Sequence, residues 1–83
     1  MVETEITFHN KAKLSVQAQI FTGRTLISTC LVGPDEVGIL MATSMRYDIF
    51  FKSGATGWEI ARILNNEAKT LTLSQENGRY IIS

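Results

Sequence analysis

Very few side chains in this sequence are equipped for chemistry. There is one histidine, His9, one cysteine, Cys30, and no block of like charge. His9 shares an alternating face with Glu3, Glu5 and Thr7, where a general base or a metal ligand is conceivable. A metal site recruits several His, Cys or carboxylate ligands. Here the single His and the single Cys fall in separate segments, so His9 reads as an ordinary solvent-facing residue. Cys30 lies in an apolar run, TLISTCLV, where a free thiol behaves as a small hydrophobe. Nucleophilic catalysis also needs a base aligned by a third group, and nothing near Cys30 supplies one. An active site would have to gather Asp48, Glu59, His9 or Cys30 into one cleft.

Two further motifs fall short for stated reasons. Gly54-Ala55-Thr56-Gly57 lacks the longer glycine spacing and the Lys-Ser/Thr ending of a phosphate loop. Asp35 and Glu36 offer too few oxygens for a calcium loop. The expectation is therefore a protein that is not an enzyme and uses neither cofactor nor metal.

Binding chemistry is better represented. Ser15, Gln17 and Gln19 share one face, with Phe21 at its end and Arg24 in the next loop. Amides and hydroxyls form paired hydrogen bonds with a sugar, and an aromatic ring offers its apolar face a platform. Gln17, Gln19, Phe21 and Arg24, together with Trp58, form the candidate ligand-binding set for a glycan or a lipid headgroup, in the manner of a lectin. A second set points to a partner protein. Phe21 and Phe50 sit on otherwise polar faces, and Ile27 and Leu31 belong to a strand that is apolar on both sides. Apolar groups in such places mark interfaces. The leading expectation is a non-catalytic binding or assembly module, self-associating as a homo-oligomer; a lectin-like carbohydrate- or headgroup-binding protein is the alternative.

The elements that must position these residues follow from a period of two, the mark of a half-buried strand. Residues 3–9, 13–21, 25–32, 37–42, 45–52, 69–74 and 79–82 read as strands. Leu14, Val16, Ala18 and Ile20 give the cleanest inner face; Met45, Tyr47, Ile49 and Phe51 give another. The stretch 45–64, with its Gly-rich connection at 53–57, reads as a hairpin around which the rest is organised, with Tyr47, Phe50, Phe51 and Trp58 as candidate core anchors. Asn10-Lys11, Gly23, Gly33-Pro34-Asp35-Glu36 and Asn77-Gly78 supply turns, Asn-Gly being the strongest short hairpin signal. Residues 57–66 are ambiguous: Thr56 and Glu59 fit a capping box and Trp58, Ala61 and Leu64 have helical spacing, but too many apolar residues circle the axis, and a strand at 58–64 is preferred. The fold class expected is all-β, a small antiparallel β-sandwich or barrel-like structure of seven or eight short strands, with a possible short helix at 57–66.

Composition agrees. Eighty-three residues make one domain, 1–83. Eight basic residues balance eight acidic ones, which argues against broad attraction to nucleic acid. No apolar run reaches transmembrane length, the first residues lack the pattern of a signal peptide, and one cysteine allows no internal disulfide. A cytoplasmic protein is expected, without excluding secretion.

Overall fold

The computed structural model describes residues 3–83. Eight strands follow one another: β1 (Thr4–Asn10), β2 (Val16–Thr22), β3 (Thr25–Val32), β4 (Val37–Ala42), β5 (Tyr47–Ser53), β6 (Glu59–Asn66), β7 (Thr70–Glu76) and β8 (Arg79–Ile82). They form two four-stranded sheets, ordered β4-β1-β7-β8 and β3-β2-β5-β6. Every pairing is antiparallel except β1 with β7, which is parallel. The all-β sandwich expected from alternation is the fold observed.

The helical possibility at 57–66 gives way to strand β6. As a strand it sets Ile63 opposite Ile49 and Ala61 opposite Phe51, so its apolar residues extend the core of a neighbouring strand. A helix this short would leave much of its circumference apolar in water. Tight turns fall where glycine and asparagine relieve the steric cost of a left-handed backbone: Gly23 has φ 63°, and Asn77 and Gly78 have φ 52° and 77°.

The core lies between the sheets. Ile6 and Phe8 from β1, Leu40 from β4 and Leu73 from β7 face Ala18 and Ile20 from β2 and Ile49 and Phe51 from β5, all fully buried. Phe8 and Phe51 join the two layers, with ring centroids 4.9 Å apart. Each Ile, Leu or Phe among them contributes about 1.5–3 kcal/mol on burial.

One polar residue is sealed inside this end of the sandwich. Asn10 is wholly buried; its Nδ2 donates to the carbonyls of Leu14 at 2.9 Å, Val32 at 3.0 Å and Gly33 at 3.2 Å. Its Oδ1 accepts from Ala12 N at 3.0 Å, and its own carbonyl accepts from Asp35 N at 2.8 Å. The expected turn at Asn10-Lys11 is thus also a knot between the two sheets.

The two long sides of the sandwich differ. On one, β3 lies against β4: Ser28 Oγ accepts from Met41 N at 3.2 Å. Gly38 makes this approach possible, since a Cβ there would stand 2.4 Å from a Val32 methyl carbon and 2.8 Å from Cys30 Sγ. On the other, Ile60, Ala61 and Ile63 of β6 and Tyr80 and Ile82 of β8 remain only partly covered. Strand β6 carries an extra residue at two points, near Ile60 and between Ile63 and Asn66. Bulges of this kind twist an edge and discourage pairing with another chain.

Three expectations need correction. Trp58 does not anchor the core: it is 77% exposed, at the start of an edge strand. Met45 precedes β5 and is exposed, because the strand begins at Tyr47. Strand β3, apolar on both faces, meets the core with only one of them: Leu26 and Leu31 stand 47% and 65% exposed on the other.

Candidate binding face

The outer surface of the β3-β2-β5-β6 sheet gathers most of the residues singled out above. The registers set them in three rows that cross the strands. Leu31, Gln17, Lys52 and Glu59 form one; Thr29, Gln19, Phe50 and Arg62 the middle one; Leu26, Phe21 and Asp48 the third. Alternation in β2 and β5 turns these side chains outward because the intervening ones fill the core. In β3 a register shift opposite Ile20 and Phe21 changes the pattern. Leu26 comes to face Phe21 on the outside, and the extra residue, Ile27, turns half-buried onto the core.

The middle of the face is aromatic. Phe21 and Phe50 meet edge to face with centroids 5.3 Å apart at 74°, the arrangement their quadrupoles favour. Arg62 lies over Phe50 with its guanidinium carbon 5.6 Å from the ring centre, and its Nε contacts Glu59 Oε2 at 3.0 Å. Gln17 Nε2 donates to Thr29 Oγ1 at 3.4 Å. Gln19 Oε1 is shielded from solvent and accepts no hydrogen bond among the described residues. A buried acceptor without a donor is uncommon in native proteins. Asp48 Oδ1 accepts from Asn65 N at 2.9 Å and so holds the bulge where Asn65 takes φ 56°.

The two candidate sets fare differently. Of the interface set, Phe21, Phe50 and Leu31 share this face, with Leu31 65% exposed, while Ile27 points away from it. The ligand set is divided. Gln17, Gln19 and Phe21 lie along β2. Trp58 stands beside Glu59 at the Gln17 end of the face, about 13 Å from the Phe21 end at strand spacing. Arg24 is exposed in the hairpin loop beyond Phe21. Phe21 is also no open platform, its ring being engaged with Phe50.

Another apolar surface escaped the sequence reading. On the outside of the other sheet, Val37, Ile39 and Met41 follow one another along β4 beside His9, Thr7 and Glu5 of β1. The signal was hidden because the alternate positions, Leu40 and Ala42, are apolar as well. At one end of the sandwich, Thr4, Met45, Glu67 and Lys69 line an open recess of about 320 Å³, beside the exposed Arg46–Glu67 pair at 2.6 Å. Nearby, the Tyr47 hydroxyl donates to Ala68 O and receives Asn66 Nδ2 at 3.3 Å. Burial raises the Tyr47 phenol above its ordinary value of 10.0, against a smaller lowering by Asn66.

The groups that could have made an active site are dispersed. His9 is outside one sheet, Asp48 and Glu59 are outside the other, and Cys30 lies against Gly38 between β3 and β4. Among the described residues no three His, Cys, Asp or Glu side chains come together as metal ligands, and no helix is long and apolar enough to cross a membrane. In comparisons with family models, curated proteins and solved structures, nothing matches this chain.

Proposed function

We propose that this chain is a non-catalytic binding and assembly module, self-associating through an outer sheet face. One observation carries the reading: the outward positions of β3, β2 and β5 hold Leu26, Leu31, Phe21 and Phe50, where a strand facing only water carries polar side chains. Aromatic residues and Arg are the residues enriched at the centre of protein interfaces, and Phe50 with Arg62 occupies the middle row. Sedimentation velocity over the micromolar range tests it. A sedimentation coefficient that rises with concentration is expected, and a strict monomer at the highest concentration removes the proposal.

A second reading, recognition of a glycan or lipid headgroup, is favoured by the unpartnered Gln19 Oε1 beside two aromatic rings. A sugar hydroxyl would supply the missing donor. Glycan and lipid arrays test it: binding that Gln19→Leu abolishes supports it, and silence on both arrays removes it.

A further inference from the structure

We infer that the outer face of the β3-β2-β5-β6 sheet docks onto the same face of a second copy, about a two-fold axis lying along the Thr29–Gln19–Phe50–Arg62 row. This rests on the self-association proposed above and specifies its surface, partner and register.

A two-fold contact is isologous, so the face must complement itself when turned over. With the axis along the middle row, the two outer rows exchange places. The Leu31–Gln17–Lys52–Glu59 row of one copy then lies over the Leu26–Phe21–Asp48 row of the other. At the β3 edge, Leu31 meets Leu26; these are 65% and 47% exposed in the isolated chain. On β5, Lys52 meets Asp48. Neither has an ion-pair partner among the described residues of its own chain, and at four residues apart on one strand they stand about 13 Å from each other, too far to pair within it. The two-fold brings both pairs together at once. On the axis Phe50 meets Phe50 and Gln19 meets Gln19. Two glutamine amides related this way each accept from the other's NH₂, which would give the solvent-shielded Gln19 Oε1 its donor after a turn of the amide. The one like-charge meeting, Arg62 with Arg62, falls at the β6 edge, where each guanidinium is already held by Glu59 and Phe50.

The charge pattern selects this axis. An axis along the strands would exchange β2 with β5 and β3 with β6. Lys52 would then lie on Gln17, Asp48 on Phe21, and Leu31 on Glu59, with no charge compensated. The size of the face sets the strength. Four strands about 4.8 Å apart and six residues long give a footprint of roughly 400 Å². Two such footprints bury roughly 800 Å² in all, below the standard size, so the dimer is a weak, transient one.

Charge exchange on the full chain tests the inference by sedimentation velocity. Lys52→Glu and Asp48→Lys each set like charges against each other and should weaken the dimer about tenfold or more; the double exchange should recover most of that loss. Asp48→Lys also removes the acceptor of Asn65 N, so circular dichroism and a thermal melt accompany each variant. Leu31→Lys, at an exposed site, is a second disruption free of that complication. Ile39→Lys, on the opposite sheet, should leave association unchanged. A monomeric parent chain overturns both this inference and the proposed function. Loss of the dimer in Ile39→Lys but not in Leu31→Lys keeps self-association and rejects this face. Single charge variants that weaken the dimer without recovery in the double reject the axis.

Discussion

At the scale of residues, Asn10 holds more of this fold than its size suggests. Its side chain bonds three carbonyls and one amide, of which Val32 O and Ala12 N are buried and Leu14 O and Gly33 O partly so. Asn10→Leu keeps the volume and takes the amide away from all four, with Gly33 O keeping its bond from Glu36 N. Each unsatisfied buried group costs about 1–3 kcal/mol, so with two of the four buried a loss of about 2–3 kcal/mol is expected, read as the shift of a urea midpoint. Against a typical stability of roughly 5–10 kcal/mol for a small domain, that is a large share, and a shift under about 1 kcal/mol would show that water replaces the amide. The sequence shows Asn10 only as a turn residue, because two of its acceptors lie 22 and 23 positions away and local pattern carries no such information. Tyr47 is a second case. Burial raises its phenol above 10.0, so the folded state holds the proton more tightly than the unfolded state. This contribution is fully present below pH 10 and is lost as pH rises through the higher folded value. Tyr47→Phe should therefore flatten part of the alkaline fall in stability. It should also lower stability by about 1–2 kcal/mol at neutral pH, since Ala68 O and Asn66 Nδ2 lose a partner. Equal alkaline slopes for the two proteins would refute the assignment.

At the scale of elements, the strands were legible because one physical rule made most of them: a face that meets the core and a face that does not. All eight are found where alternation or turn residues put them, with ends moved by three residues at most. The rule fails at particular residues. Leu64 on the bulged edge strand β6, and Trp58 just before it, are apolar and yet exposed. Ile27 and Leu26 trade faces because a bulge adds one residue, and a bulge leaves no mark in a count by twos. Gly38 is the point at which β3 and β4 close one side of the sandwich. Gly38→Ala drives a methyl group into Val32 and Cys30 and should cost about 1–3 kcal/mol, the range for overpacking a core. Pairing it with Val32→Ala removes the nearer of the two clashes, at 2.4 Å, and leaves the one with Cys30 Sγ at 2.8 Å. The double variant should then lie well above the sum of the two singles in thermal midpoint; strict additivity would mean that the close approach is not the cause. The binding face shows the same division. Gln17, Gln19, Phe21, Leu31 and Phe50 could be grouped by their alternation, whereas the distance of Trp58 and Arg24 from that group depends on strand order, which no local period encodes.

At the scale of the whole molecule, the chain is held together by a pairing between its two ends. Strand β1 sits between β4 and β7, and its parallel partner begins at Thr70, opposite Thr7. Sequence neighbours that form hairpins, β2 with β3, β5 with β6 and β7 with β8, are visible in the turns that join them. The β1–β7 pair has no such turn, and the sequence reading of an antiparallel sandwich passed over it. Its consequence is that residues 3–69 cannot finish the fold. Without β7 and β8, one edge of β1 is unpaired, and Ile6 and Phe8 lose the cover of Leu71 and Leu73, all of them buried in the complete chain. A chain ending at residue 69 should therefore show no cooperative thermal transition by circular dichroism. Adding a peptide of residues 69–83 should restore one, because the missing strands bring their own apolar face and turn. The intact domain should fold with a single phase in milliseconds to seconds, the range for small all-β domains whose contacts are far apart in sequence, since loop closure over so much chain precedes the gain from pairing. Cooperative unfolding of the truncated chain by itself, or microsecond folding of the intact one, would mean that the layers assemble from local hairpins and that β7 only decorates a finished structure.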